Sequence, residues 1–380
     1  MIKKNKNQIC TRCVMDTTDP FIVFDENGNC NHCTAALKKV ESVTFSSDNE
    51  RENALNTIIT KIKNSGEGNK YDCIIGLSGG VDSSYLAYVV KKLGLRPLAI
   101  HVDNGWNSEL AVKNIENILK KLNIDLYTHV IDWEVFKSLQ LAFLKASVID
   151  LEMLSDNAIV IGIYNLSKKF KIKYFIDGTN YAAESIMPGS WFYVPKYDSL
   201  NIRSIYKRFG SGKKLTTYPL LNLVEYVRFR YFKKGESIAL LNYVPYEKAK
   251  AMKILVEELE WKDYGGKHFE SKITHFYQAY ILPTKFNVDK RKAHLSSLIC
   301  SGQLSRNDAL NELKKELYNP SVFEDDKEYF IKKLGLTIEE FDKIMSAPVK
   351  EHHDYPAYQL VHKKLRNIFR KFFPKRVISE

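Results

Sequence analysis

The strongest constraint on what this chain can fold into lies between residues 71 and 93. Tyr71–Leu77 is a short apolar, β-prone run. Ser78-Gly79-Gly80-Val81-Asp82-Ser83-Ser84 follows it, and a helical pattern runs over Val81–Leu93. A strand entering a helix through a glycine pair is the opening of a βαβ unit. The same rhythm continues downstream. Arg96–Val102, Asp125–Ile131 and Lys173–Ile176 read as strands, and Glu109–Leu122, Trp133–Val148 and Asn157–Phe170 as helices. Strands alternating with helices imply a doubly wound parallel α/β sheet covered on both faces.

The turn itself carries chemistry. Gly79 and Gly80 let backbone N–H groups approach an anion, the helix start adds partial positive charge, and Ser78, Ser83 and Ser84 add hydroxyl donors. It is not the triphosphate P-loop, which needs G-x-x-x-x-G-K-[ST]. Gly210-Ser-Gly-Lys-Lys fails that pattern too, because Lys207 stands where its first glycine belongs. His101-Val-Asp103-Asn-Gly and Asp177-Gly178-Thr179-Asn180 each end a strand, where open α/β sheets bind ligands. Asp103 and Asp177 are therefore candidates to hold Mg²⁺ or ribose; an Asp before Gly is also ordinary turn chemistry. Further on, Trp261–Ser271 and Lys285–Ser297 are dense in charge and aromatics. An anionic phosphate ligand calls for cations beside it, and Lys267, Lys290 and Arg291 are the candidates. A solvated helix face accounts equally well for a Lys-Arg-Lys run.

Ahead of the sheet, Cys10-x-x-Cys13 and Cys30-x-x-Cys33 are separated by 16 residues. Two such knuckles bring four thiolates to the corners of a tetrahedron, the pattern of a zinc ribbon, with an iron–sulfur cluster as the alternative. Four sulfur ligands leave no open position, so the site is expected to be structural. The segment boundaries read as 1–45 for the ribbon, 46–69 for a linker helix with Leu55, Ile58, Ile59 and Ile62 on one face, 70–221 for the sheet domain, loop-rich after Gly178, 222–350 for a mostly helical region and 351–380 for a basic tail. Within the tail, Gln359–Val377 has the pattern of a basic amphipathic helix, suited to the protein core, a partner or an anionic membrane.

Composition narrows the partners. The formal charge is +12 over 380 residues, which favours an anionic ligand without selecting one. The basic start lacks the apolar stretch of a signal peptide, and no uncharged apolar run approaches the ~18 residues of a membrane span. The expected compartment is the cytoplasm, where cysteines serve as metal ligands, reactive thiols or core rather than disulfides.

Ser-Gly-Gly-x-Asp-Ser-Ser resembles the pyrophosphate loop of the N-type ATP pyrophosphatases, the superfamily of the GMP, NAD and asparagine synthetases and of tRNA thiolation enzymes. Cys-Thr-Arg-Cys-Val-Met-Asp-Thr-Thr-Asp-Pro, Gly-Thr-Asn-Tyr-Ala-Ala-Glu-Ser, Tyr-Gly-Gly-Lys-His-Phe-Glu and Asp-Lys-Arg-Lys-Ala-His-Leu-Ser-Ser-Leu narrow it further. With the loop, they are similar to the N-acetyl sugar amidotransferases of lipopolysaccharide O-antigen and nonulosonic-acid pathways. The resemblance runs from Cys10 to about Pro348. It implies that ATP adenylates an acetamido oxygen of a nucleotide-linked sugar, that ammonia displaces AMP, and that an acetamidino group results. The residues Ser78, Gly79, Gly80, Val81, Asp82, Ser83 and Ser84, with Asp103, Asp177, Gly178 and Thr179, then hold ATP and Mg²⁺. Asp82, Lys267, Lys290 and Arg291 serve the chemistry, and Cys10, Cys13, Cys30 and Cys33 hold Zn²⁺.

The competing reading is a thiolation-type tRNA-modifying enzyme, although only Cys73 and Cys300 remain outside the ribbon and Cys73 lies inside a strand. A zinc-ribbon adaptor with a degenerate nucleotide domain is the non-enzymatic alternative. The leading reading expects no nucleic acid. Ile2, not Cys, follows Met1, and neither Cys73 nor Cys300 has a nucleophile-elbow setting, so no glutaminase is expected within the chain. Ammonia is expected from a separate glutaminase subunit, which the resemblance likens to that of imidazole glycerol phosphate synthase.

Overall fold

The computed structural model describes residues 8–232, 235–264 and 271–359. After α1 (Asn31–Glu41) and α2 (Asp48–Ser65), the chain enters β1 (Cys73–Gly76), α3 (Val81–Lys92), β2 (Pro97–Asp103), α4 (Glu109–Leu122), β3 (Asp125–Val130), α5 (Trp133–Ala146), α6 (Met153–Phe170) and β4 (Tyr174–Asp177). A fifth strand, β5 (Glu236–Ala239), arrives after α7 (Tyr181–Glu184), α8 (Ser199–Phe209) and α9 (Leu223–Phe232). All pairings are parallel, in the order β3-β2-β1-β4-β5. The chain winds outward from β1 to β3 and then restarts on the other side with β4, which makes the carboxyl ends of β1 and β4 the topological switch point.

β1 explains why its sequence is apolar without alternation. Cys73 and Ile75 pack with Leu86, Val90, Ile115 and Ile118 of α3 and α4, whereas Ile74 packs on the opposite face with Leu98, Ile100 and Leu166. A strand covered twice has no polar face to show. On the first face α2 contributes Ile59 and Ile62, and α10 (Lys248–Leu259) contributes Ala251, Leu255 and Leu259. Each such aliphatic side chain stabilises by ~1.5–3 kcal/mol on burial.

The sequence-based boundaries need three corrections. The sheet reaches past residue 221, because β5 pairs Tyr174–Asp177 with Glu236–Ala239. A strand of four residues inside a charged, helical-looking stretch carries too little periodicity to show itself. The second long helix starts at Met153 rather than Asn157, since the Asp150 side chain accepts the Met153 N–H at 3.0 Å and fixes the turn there. The stretch read as loop-rich after Gly178 contains α8, whose Asp198 cap accepts from the Asn201 N–H. Lys267 and the amphipathic stretch beyond Gln359 lie outside the described residues.

The C-terminal part continues through α11 (Lys272–Phe276), one π-helical turn (Tyr277–Ile281), α12 (Leu282–Phe286), α13 (Arg291–Cys300), α14 (Arg306–Leu313), α15 (Pro320–Leu334) and α16 (Ile338–Ser346). Its core is continuous with the cysteine module: Cys10, Cys13 and Met15 share one apolar cluster with Phe276, Ala293 and Phe330. Polar contacts reinforce the seam. Arg306 donates to the Cys10 and Cys13 carbonyls at 2.8 and 3.0 Å, Ser296 Oγ accepts from the Val14 N–H, and Lys292 pairs with Asp16. Among the described residues no helix is long and apolar enough to cross a membrane.

Candidate active site

The loop after β1 is held in a single shape. Ser78 Oγ and Ser83 Oγ lie 3.0 Å apart, and Ser78 Oγ also accepts from the Gly80 N–H. Gly79 has φ +84°, and a Cβ there would stand 2.9 Å from the Ala111 carbonyl and 3.0 Å from the Tyr264 hydroxyl. Trp261 Nε1 and the Tyr264 hydroxyl both donate to the Gly79 carbonyl. The segment after α10 therefore latches the loop from outside, which is how its aromatic residues reach the site. The N-cap of α3 is Gly80, which has no side chain, so the first-turn N–H groups have no capping side chain. An uncapped helix start behind a glycine pair fits a phosphate group.

A cleft of about 680 Å³ opens beside this loop, at the carboxyl ends of β1, β2 and β4. Ser78 and Ser83 line it, as do His101, Asn104 and Asn107 from the end of β2 and beyond, and Thr179, Asn180 and Glu184 after β4. The far side brings Ser271, Thr274, Gln278, Lys290 and His294. His101 Nδ1 donates to the Leu77 carbonyl at 2.9 Å while Nε2 accepts from Asn107 at 3.0 Å, a tautomer assigned from these partners. Asn180 is almost wholly buried; its Oδ1 caps α7, and its Nδ2 has no partner among the described residues. An orphaned amide donor in a cleft wall suits an anionic or carbonyl ligand.

The sequence-predicted residues divide. Ser78, Ser83, Thr179 and Lys290 line the cleft. Gly79, Gly80 and Val81 form the turn. Ser84 is buried in the first turn of α3, its hydroxyl away from solvent and without a partner among the described residues. Asp82 accepts from the Tyr246 hydroxyl, whose own ionisation is pushed well up by burial and by that carboxylate. Gly178 brings β4 against α3: a Cβ there would lie 3.4 Å from the Asp82 backbone. Asp103 accepts from the Gly105 N–H and from Asn107, and Asp177 accepts from Thr179 and Ser237. These two carboxylates thus brace the strand ends. Arg291 is not brought to the cleft. Its guanidinium forks onto Asp289 at 2.8 Å and donates to the Lys315 carbonyl at 2.9 Å, which fixes the end of α14.

Sequence reasoning missed one wall. Glu152, Ser155, Asp156 and Ile159 stand on the start of α6 at i, i+3, i+4 and i+7 and all face the cleft. The signal was a polar stripe on a helix whose other residues, Met153, Leu154, Ala158 and Ile161, are buried. Glu152 accepts from Lys290 at 2.5 Å and from Gln278 at 2.6 Å, tying α6 to α13 and to the π-helical turn. Behind it, Lys196 pairs with Asp150 at 2.5 Å and with Asp156 at 3.1 Å. Burial disfavours the Lys196 charge, but the two aspartates outweigh it and hold its ammonium above the usual range.

The cysteine module forms the expected cluster. The sulfurs of Cys10, Cys13, Cys30 and Cys33 all lie within 4.8 Å of one another, with the closest pairs 3.6 and 3.7 Å apart, and all four side chains are buried. Backbone N–H groups of Cys13, Cys30 and Cys33 point at these sulfurs. The set fits a single tetrahedral ion with metal–sulfur bonds of ~2.3 Å. Cys73 and Cys300 are both buried; burial drives the Cys73 thiol up and pushes that of Cys300 to about 12.

Comparison with known proteins gives two family matches. Residues 72–167 match the queuosine biosynthesis protein QueC family, and residues 270–368 match the C-terminal domain of LPS biosynthesis protein WbpG-like proteins. No curated protein gives a significant match. Among solved structures, NMN synthetase from Francisella tularensis is similar at 14% identity over 78% of this chain and 98% of that one, with a TM-score of 0.38. The NH3-dependent NAD synthetase from Campylobacter jejuni is 15% identical over 59% and 93%, TM-score 0.29. The U34-tRNA thiolase NcsA from Methanococcus maripaludis is 13% identical over 82% and 89%, TM-score 0.31. The two family matches bear out the resemblance carried by the motifs: an ATP pyrophosphatase segment of the adenine nucleotide alpha-hydrolase-like superfamily, joined to a WbpG-like C-terminal segment, in an ATP-utilising enzyme.

Proposed function

We propose that the protein converts the acetamido group of a nucleotide-linked sugar to an acetamidino group, using ATP and ammonia. The observation that carries this reading is the single cleft into which both family-matched segments project: Ser78 and Ser83 from one, Gln278, Lys290 and His294 from the other. An amide carbon is a poor electrophile, so its oxygen must become a leaving group. ATP supplies that by adenylation, and the loop Ser78–Ser84 is shaped to hold the departing pyrophosphate through backbone N–H groups and hydroxyls. Lys290 offsets charge at the cleft from its pair with Glu152. Mg²⁺ is expected to travel with the phosphates, supported by one or two carboxylates. Asp82 is the carboxylate the loop itself carries.

Cys10, Cys13, Cys30 and Cys33 would hold Zn²⁺, whose chemistry here is structural: with four thiolates it has no open position. Through Arg306 and Ser296 the module steadies α13 and α14, and α13 carries His294 into the cleft. We further propose that ammonia comes from a separate glutaminase subunit and that the enzyme works in the cytoplasm. Thiolation of tRNA is disfavoured by the burial of Cys73 and Cys300, since sulfur transfer needs an accessible thiolate. The test is mass spectrometry of nucleotide-linked N-acetyl sugars incubated with the protein, ATP and an ammonium salt. The expected product is lighter by the difference between O and NH. ATP turnover without any such product in the full panel contradicts the reading.

A further inference from the structure

The proposed reaction turns a neutral amide into a cation, and the cleft needs a group that meets this charge. When adenylation places AMP on the acetamido oxygen and pyrophosphate leaves, the former amide nitrogen keeps its N–H and acquires positive charge. Ammonia then adds to the carbon. The C–O bond to AMP breaks with its electron pair staying on AMP, one proton passes to the AMP phosphate, and the acetamidinium remains. The positive charge is thus present in the intermediate and in the product but not in the substrate. A carboxylate beside that nitrogen acts on the reaction rather than on substrate binding alone.

Among the described residues three carboxylates line the cleft: Glu152, Asp156 and Glu184. Glu152 already accepts from Lys290 and Gln278, one with each oxygen. Asp156 is placed differently. It is the outermost member of a row of three charges, in which side-chain exposure rises from 2% at Asp150 through 22% at Lys196 to 42% at Asp156. Asp150 is saturated: it accepts from the Met153 and Tyr193 N–H groups and pairs with Lys196 at 2.5 Å. Lys196 is nearer to Asp150 than to Asp156, which it meets at 3.1 Å. Two carboxylates share one ammonium, and Asp156, the less closely paired of the two, stands at the cleft wall.

On the reading of the function proposed above, we infer that Asp156 is a catalytic residue that accepts the N–H of the reacting nitrogen and holds the amidinium charge of intermediate and product. Burial of the wall, with Asp150 and Glu152 nearby, raises its carboxyl, and Lys196 opposes this. A carboxylate whose surroundings penalise its charge gains most from a cationic ligand. Its position one helical turn from Glu152 sets it on the same face of α6 as the residue that holds Lys290, the N-cap of α13, so both charges of the reaction are met at one wall of the cleft. The pyrophosphate side has Lys290, and the amidinium side has Asp156.

The probes are acetamidinium chloride and acetamide, which share size and shape and differ in charge. Binding of each to the full chain saturated with AMP is followed by NMR titration. Wild type should bind acetamidinium about tenfold or more tighter than acetamide, the scale of one charge-assisted hydrogen bond. D156N should bring that ratio close to one, and D156E should restore part of it. Lys196 keeps Asp150 in both variants, so the wall stays paired, and an unchanged acetamide affinity shows that the cleft is intact. No acetamidinium preference in wild type, or a preference that survives D156N, overturns the inference. The mass assay separates the two claims. An enzyme that amidinates yet shows no Asp156-dependent preference refutes this role alone, whereas one that amidinates no acetamido sugar refutes the function.

Discussion

Two glycines of similar backbone conformation separate strain from function. Gly79 has φ +84° and Gly68 has φ +75°. A Cβ at Gly68 would meet nothing within 4 Å, whereas at Gly79 it would stand 2.9 Å from the Ala111 carbonyl, 3.0 Å from the Tyr264 hydroxyl and 3.3 Å from Ile115 Cγ1. Both substitutions by Ala incur the left-handed backbone term of ~1–2 kcal/mol. Only Gly79→Ala adds overpacking, ~1–3 kcal/mol, against a backbone atom that cannot swing aside. The loop can relieve that sum by leaving its phosphate-binding shape, and ATP affinity then falls with the fraction of molecules still competent. A total of ~2–5 kcal/mol corresponds to a loss of roughly 30- to 3,000-fold. Equilibrium binding of ATP to the two variants is the assay, with thermal unfolding alongside. Gly68→Ala should lose a little stability and keep wild-type affinity. Gly79→Ala binding ATP as well as wild type would refute the assignment of this loop to the phosphates.

Tyr246→Phe removes the hydroxyl that donates to Asp82 and leaves the ring packed against Tyr85; ATP turnover should fall by roughly tenfold or more, a charged hydrogen bond contributing ~1.5–3 kcal/mol, while unfolding stays cooperative. Unchanged turnover would show that Asp82 needs no fixed orientation. Cys30→Ser should release the bound metal and lower the unfolding temperature, because metal binding and module folding are one free energy; metal content equal to wild type contradicts it. His352 is buried, stacked on Tyr193, and shares two contacts with Asn201, and burial lowers its imidazolium to about 3. The unfolded chain therefore takes up the proton first as pH falls below about 6.5, and stability is lost from there down toward pH 3, at a limiting ~1.4 kcal/mol per pH unit. Chemical denaturation at several pH values should show a shallower slope over that range in His352→Gln; an identical slope assigns the acid sensitivity elsewhere.

What the sequence disclosed follows from where its signals are local. The glycine turn, the four strand runs and the cysteine knuckles are contiguous motifs, and each appears where the pattern puts it. Thr179 and Lys290 also reach the cleft, because one follows a strand end and the other opens a helix whose packing is set by Ala293 and Ser297. The α6 wall was missed because its start depends on Asp150, a cap that no repeat announces, and its function depends on partners 40 and 138 residues away, at Lys196 and Lys290. Arg291 shows the opposite error. Next to Lys290 in sequence, it turns on the helix to Asp289 and the end of α14, and a charge run cannot say which of its members faces a site. β5 was illegible for a further reason: Glu236 on its edge pairs with Lys61 and Lys173, so its chemistry reads as surface.

The central claim is that the acetamido oxygen leaves on AMP. The direct measurement uses an N-acetyl nucleotide sugar carrying a heavy oxygen isotope in its acetamido carbonyl, incubated with the protein, ATP and an ammonium salt. The account predicts that the heavy oxygen appears in the phosphate of AMP, one label for each acetamidino group formed, and that pyrophosphate stays unlabelled. Heavy oxygen retained in the sugar, or found in pyrophosphate or in water, would contradict it.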